Sequence, residues 1–276
     1  MIDAHQHYWR VARGDYGWME DNPAVEPIRR DFGPEDLAPK RAACGIESTV
    51  LVQAAPTVAE TRWLLELAEG EDSVAGVVGW VDFESEDAAG ELDALAAHGK
   101  FLGVRPMIQD LPDPEWMHRE DVRRTFDAVL ERDLAFDALG FPVHLEPFAR
   151  LFEARSTLRA VIDHGMKPRI AAREIDEWAR GIERIADATP VLCKLSGLLT
   201  EAAPGDGAEE LRPYVEHLVS AFGPERLMWG SDWPVLTLAG DYRGWFETAR
   251  ALVPAAAHGA VFEGTARAFY RLGAPA

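Results

Sequence analysis

Thr49-Val50-Leu51-Val52-Gln53, followed three residues later by Thr57-Val58-Ala59-Glu60, carries two signals in succession. The first is a short β-branched apolar run of the kind found in a strand buried on both faces. The second is a capping box, Thr57 with Glu60, that opens a helix turning Trp63, Leu64 and Leu67 inward. A strand with two apolar faces needs cover, and a helix directly behind it supplies that cover. It also provides the crossover that a parallel neighbour requires.

The same unit repeats in both directions. Upstream, Ile2-Asp3-Ala4-His5-Gln6-His7-Tyr8-Trp9 reads as the first strand, and residues 34–43 as a helix stopped by Gly45. Downstream, strands are predicted over 74–81, 102–105, 134–139, 159–164, 191–195 and 226–231. The helices between them present Leu92 and Leu95, then Val122, Phe126, Val129 and Leu130. Later ones present Ile175, Trp178, Ile182 and Ile185, then Leu211, Val215, Leu218 and Phe222 before Gly223-Pro224. Eight buried strands separated by helices predict an α/β protein, a single (β/α)8 TIM barrel over 1–276. A doubly wound open sheet is the other candidate, but no Gly-x-Gly-x-x-Gly follows any of these strands. One excursion interrupts the pattern, about 10–33, and loops of that length in compact domains carry function or are disordered. Tyr16 and Trp18 within it are candidates for a pocket wall or for packing against the barrel.

Composition narrows the function. The 276 residues are 47% hydrophobic, and a net charge of -19 spread along helix faces argues against nucleic acid or an anionic membrane as partner. No apolar run approaches the roughly 18 residues of a membrane span. Cys44 and Cys193 form no Cys-x-x-Cys pair and the start lacks the marks of a signal peptide, so a reducing cytoplasm is expected. A homo-oligomer is compatible with all of this.

In a barrel the chemistry sits where the strands end. His5 and His7, two apart on an extended strand, face the same side and suit a metal, although the pair alone does not decide between chelation and a surface strand. Gln53 ends strand two, Arg105 ends strand four, Asp137 lies in strand five, His164 ends strand six, Lys194 lies in strand seven and Asp232 ends strand eight. Trp233-Pro234 beside Asp232 is expected to hinder its solvation and raise its pKa toward useful base strength. Arg105 suits a substrate carbonyl or carboxylate, or an ion pair with a neighbouring acid such as Asp137. His144 lies in the loop after strand five, within reach of a pocket. His98, His118, His217 and His258 read as solvated.

His5-Gln6-His7, Val52-Gln53-Ala54, Ile162-Asp163-His164-Gly165-Met166-Lys167-Pro168, Lys194-Leu195-Ser196-Gly197-Leu198 and Gly230-Ser231-Asp232-Trp233-Pro234, in this order, resemble the amidohydrolase superfamily. The likeness is to its amidohydrolase-2 branch of sugar lactonases (fuconolactonase and rhamnonolactonase) and dicarboxylate or muconolactone-type lactonases. The resemblance implies a hydrolase in which Asp232 activates water while His164 and Arg105 serve the carbonyl. It implies one divalent ion such as zinc on His5, His7, His164 and Asp232, or metal-independent catalysis by the same residues. Arg105 stands where two-metal relatives carry a bridging lysine or glutamate, and only His144 is available for their strand-five histidine. The expected substrate is a sugar-acid (aldono) lactone, with Gln53, Trp80, Trp116, His144 and Trp18 offering hydrogen bonds and flat faces. A dicarboxylate lactone and a metal-dependent non-oxidative decarboxylation are the alternatives.

Overall fold

The computed structural model describes residues 1–273. Eight parallel strands follow one another in chain order: β1 (Ile2–Gln6), β2 (Ser48–Val52), β3 (Val74–Gly79), β4 (Phe101–Val104), β5 (Ala135–Ala138), β6 (Ala160–Ile162), β7 (Leu192–Leu195) and β8 (Leu227–Trp229). Each pairs with the next. Past the end of β8 the Asp232 amide donates to the His5 carbonyl at 2.8 Å, and the His7 amide donates to the Trp233 carbonyl at 2.7 Å. These bonds bring the last strand back to the first and close the barrel, which excludes the open sheet.

Helices α1 (Pro34–Cys44), α2 (Val58–Glu69), α3 (Ala88–Ala96), α4 (Glu120–Glu131), α5 (Leu145–Ala154), α6 (Asp176–Ala188), α7 (Ala208–Phe222) and α8 (Tyr242–Leu252) surround it. A ninth, α9 (Thr265–Tyr270), packs Phe269 and Tyr270 against Val50, Val78, Val161 and Met228 and so plugs the barrel interior. No helix among the described residues is long and apolar enough to cross a membrane.

Several strands stop short of the predicted ends, and the reason is local. Beyond β6 and β8 the backbone enters the left-handed region at His164 (φ 55°) and Asp232 (φ 58°), which breaks the ladder where polar side chains must point into the site. The Thr57 capping box is also only half made. Thr57 accepts from the Glu60 amide at 3.0 Å, but the Glu60 carboxylate instead takes the amides of Ala54 (3.1 Å) and Ala55 (2.9 Å). It thereby satisfies the chain where it leaves β2, and burial pushes its pKa up to about 8. On α2, Leu64 and Leu65 are the buried pair; Trp63 and Leu67 are half-buried, and the Arg13 guanidinium covers the indole at 5.0 Å.

The long excursion after β1 folds as three short 3-10 turns, Val11–Arg13, Gly17–Met19 and Pro23–Ile28. Tyr16, Met19 and Ile28 are buried under it. Trp18 leans over the exit of β2 with its indole N–H on the Ala54 carbonyl at 2.8 Å. The four outer histidines are not simply solvated. His118, His217 and His258 each meet a backbone carbonyl, at 2.9, 3.1 and 3.0 Å, and His98 meets Glu69 at 3.1 Å.

Candidate active site

Every strand that ends in a polar residue delivers it to the same end of the barrel. There a pocket of about 290 Å³ is lined by His7, Arg105, His164 and Asp232 on its floor. Trp9, Trp18, Met107, Leu139 and Val235 form its apolar walls, and Asn22, Gln109, Asp110 and Lys167 its polar edge. A larger groove, about 890 Å³, runs between α5 and α6 but contains no imidazole.

On the floor four side chains converge. His5 Nε2 and His7 Nε2 are 3.2 Å apart, and Asp232 Oδ1 stands 3.2 Å from His7 Nε2, 3.7 Å from His5 Nε2 and 3.8 Å from His164 Nε2. His7 Nδ1 lies 2.8 Å from the Val52 carbonyl, which can only accept, so the His7 proton sits on Nδ1 and the Nε2 lone pair faces the carboxylate. His164 Nδ1 is held by Ser196 Oγ at 2.8 Å, which turns Nε2 to the site. The His7 Nε2 lone pair and the Asp232 oxygen aimed at one another in a buried site call for a cation between them, either a proton or a metal ion.

The protonation states suit that reading. Burial, reinforced by the Lys194 charge, holds the His5 pKa well below its usual value, and burial lowers His164 to about 4. Burial alone would raise the Asp232 pKa, but His164, His7 and His5 outweigh it and hold the carboxyl well below its usual range. This reverses the sequence expectation. Trp233 does not shield the carboxylate, because its ring turns away onto Phe32 (5.2 Å) and Tyr8 (6.1 Å), and the imidazoles decide the sign.

His5, His164 and Asp232 each offer a ligand atom within 4.8 Å of the others, all buried, which is a donor set able to take one divalent ion. His7 stands outside that three-membered cluster. Arg105 Nη1 lies 3.3 Å from His5 Nε2.

Arg105 is buried and held from two sides. Its Nη1 meets Asp163 at 3.3 Å, its Nη2 donates to the Gln53 backbone carbonyl, and the Gln53 side-chain Nε2 donates back to the Arg105 backbone carbonyl at 2.7 Å. Its acid is thus Asp163 and not Asp137. Gln53 is itself fully buried and acts on Arg105 rather than lining the pocket. Asp137 and Lys194, expected on the rim, lie buried inside the barrel. Lys194 Nζ bonds Asp137 at 2.5 Å, Asp163 at 3.0 Å and His5 Nδ1 at 3.1 Å, and the Tyr270 hydroxyl reaches Asp137 at 2.8 Å.

Of the other sequence candidates, Trp18 lines the pocket. Trp80 and Trp116 line a neighbouring cavity that shares only Met107 and Asp110 with it, and the Trp116 indole bonds Glu84 at 2.8 Å. His144 is buried and accepts the Phe141 amide at 3.0 Å, away from the floor. Tyr16 packs into the core instead of the pocket wall. Met107, Gln109, Asp110 and Lys167 were not singled out as pocket residues from sequence; their position just after the ends of β4 and β6 was the only available signal.

Two glycines make room for the imidazoles. A Cβ on Gly197 (φ +63°) would sit 2.6 Å from His164 Nδ1, and one on Gly230 would sit 2.7 Å from the His5 Cβ. Gly197→Ala is expected to displace His164 and lower kcat/KM by roughly 100-fold, the scale set by a misplacement of about 1 Å. Gly205→Ala is the control, since Gly205 has φ +92° with no atom within 4 Å of a new Cβ. Equal losses in both variants would mean that backbone strain, not the His164 position, is responsible.

The Amidohydrolase family model matches residues 2–272. The chain is 44% identical to an L-fucono-1,5-lactonase of Burkholderia ambifaria over 99% of its length and 96% of that protein. It is 36% identical to an L-fucono-1,5-lactonase of Burkholderia multivorans over 100% and 97%. A crystal structure of an amidohydrolase from Burkholderia multivorans with bound zinc superposes with a TM-score of 0.90 at 32% identity, covering 99% of each chain.

Proposed function

The chain belongs to the amidohydrolase superfamily, in its amidohydrolase-2 branch, and we propose from this that it is a hydrolase opening the ring of a sugar-acid lactone. The likeness to the L-fucono-1,5-lactonases supports the substrate class. The chemistry rests on one observation, the ionised Asp232 carboxylate 3.2 Å from His7 Nε2 on the floor of the pocket.

In this reading a water on the floor attacks the lactone carbonyl carbon. Asp232 Oδ1 accepts its proton, which His7 Nε2 then shares, because His7 has no proton of its own on that nitrogen. Arg105, held by Asp163 and the Gln53 carbonyl, presents its guanidinium to the oxygen on which negative charge develops. The carbon to ring-oxygen bond then breaks, the electron pair goes to the ring oxygen, and the Asp232–His7 pair returns the proton to it. A divalent ion such as zinc, held by His5, His164 and Asp232, would polarise the carbonyl as a Lewis acid. The two cysteines are free and buried, which fits placement in a reducing cytoplasm.

The test is proton release from L-fucono-1,5-lactone, followed with a pH indicator above the spontaneous rate, before and after chelation. Release is expected from the untreated protein. Turnover that survives chelation assigns carbonyl polarisation to Arg105, whereas loss on chelation with recovery in zinc assigns His5, His164 and Asp232 as ligands. No release in either state, with carbon dioxide formed from an aromatic or enoic acid instead, would replace the lactonase by the decarboxylase reading.

A further inference from the structure

We propose that Lys167 makes this pocket select a hydroxylated lactone over a bare one, its ammonium and the Gln109 amide forming the edge that binds the ring hydroxyls. The proposal rests on the lactonase reading above.

Lys167 closes a run of four left-handed residues, His164 (φ 55°), Gly165 (54°), Met166 (62°) and Lys167 (49°). Such a conformation is strained for each non-glycine residue, so surrounding contacts must hold it. They do. Met166 is fully buried, the Gly165 carbonyl accepts the Trp178 indole N–H at 2.7 Å, and the Lys167 amide donates to the His164 carbonyl at 2.9 Å. The result is a turn that sends His164 to the floor and Lys167 to the mouth.

At the mouth, Lys167 Nζ donates to Gln109 Oε1 at 2.6 Å and lies 5.2 Å from the centre of the Phe141 ring. Among the described residues this is its one hydrogen-bond acceptor, and no carboxylate lies within 4.0 Å of it. An ammonium carries three protons, so two remain for a ligand. The same short turn that supplies Gln109, Ile108–Asp110, places Asp110 on the pocket wall. Donors and an acceptor side by side match hydroxyl groups, which both give and take hydrogen bonds.

Burial lowers the Lys167 pKa, and the carboxylates of Glu201, Asp232 and Asp110 pull it back up against the guanidinium of Arg105. Arg105 is already committed to the floor, so the two cations of the pocket have separate tasks.

The experiment compares kcat/KM for L-fucono-1,5-lactone with that for δ-valerolactone, the same six-membered ring without hydroxyls, by proton release. The wild type is expected to prefer the sugar lactone. Lys167→Met should reduce the ratio of the two values by roughly 30-fold, mostly through KM, the scale of a lost charged hydrogen bond. Gln109→Met, which frees the ammonium without removing it, should reduce the ratio by roughly 3- to 10-fold and carries the test if Lys167→Met does not fold. Equal losses on both substrates, or a ratio unchanged within about twofold in the folded variants, would overturn the proposal and leave the lactonase standing. A wild type that opens neither lactone overturns both.

Discussion

Asp232→Asn is expected to lower kcat for lactone opening by roughly 10²–10⁴-fold, the range of a lost general base, with little effect on thermal stability. The carboxylate is ionised at neutral pH, because the surrounding imidazoles outweigh the effect of burial on it. Asparagine keeps its size but cannot accept the water's proton. The fold does not depend on the charge. Asp232 holds the barrel closure through its backbone, with its amide on the His5 carbonyl at 2.8 Å and its carbonyl accepting the Leu236 amide at 2.9 Å. Lactones hydrolyse slowly unaided, so the rate must be read above a protein-free control and beside a thermal melt. Turnover within about tenfold of wild type would remove Asp232 from the chemistry. A melt shifted by many degrees would instead make the loss structural.

The visibility of this site in the sequence followed a physical rule. His5, His7, Arg105, His164 and Asp232 stood out because each is a polar residue at the end of an apolar strand, where a barrel exposes side chains. The inward network did not. Lys194 and Asp137 sit in the middle of short buried strands, and their partner Tyr270 comes from a helix 133 positions further along than Asp137, so no local pattern links them. Asp163 shows the same difficulty at closer range, since the sequence offers it as the neighbour of His164 and only the fold turns it toward Arg105. The direction of the Asp232 shift failed for a related reason. Trp233 is adjacent along the chain, yet the left-handed Asp232 backbone turns the carboxylate toward three histidines from other strands and the indole into the core. Strands and helices depend on periodicity within a segment, whereas charge balance depends on the neighbours that closure brings together.

That buried network gives the largest stability effect expected of any single change. Lys194→Met removes the ammonium from Asp137, Asp163 and His5 at once, leaving two carboxylates inside the barrel. Breaking a buried ion pair by removing one partner costs about 3–5 kcal/mol. For a chain of this size that corresponds to a fall in Tm of roughly 5–15 °C. Asp163 retains Arg105 at 3.3 Å, so most of the penalty falls on Asp137, which keeps only the Tyr270 hydroxyl. Burial already raises the Asp137 pKa against the opposing pull of Lys194, and without the lysine it rises further. The unfolded chain titrates this carboxyl near its ordinary value of about 3.9. Between those two values the native variant binds a proton that the unfolded chain releases, so its stability increases as pH falls. The deficit against wild type should therefore be largest at neutral pH and shrink on acidification. Pairing Lys194→Met with Asp137→Asn should recover much of the loss, because the amide oxygen still accepts from Tyr270 and one buried charge is gone. Melts of the three proteins across pH check this account. A single variant within about 2 °C of wild type, or a double variant no better than the single, would mean that solvent reaches Asp137 and that the Lys194 network does not support the barrel interior beneath His5.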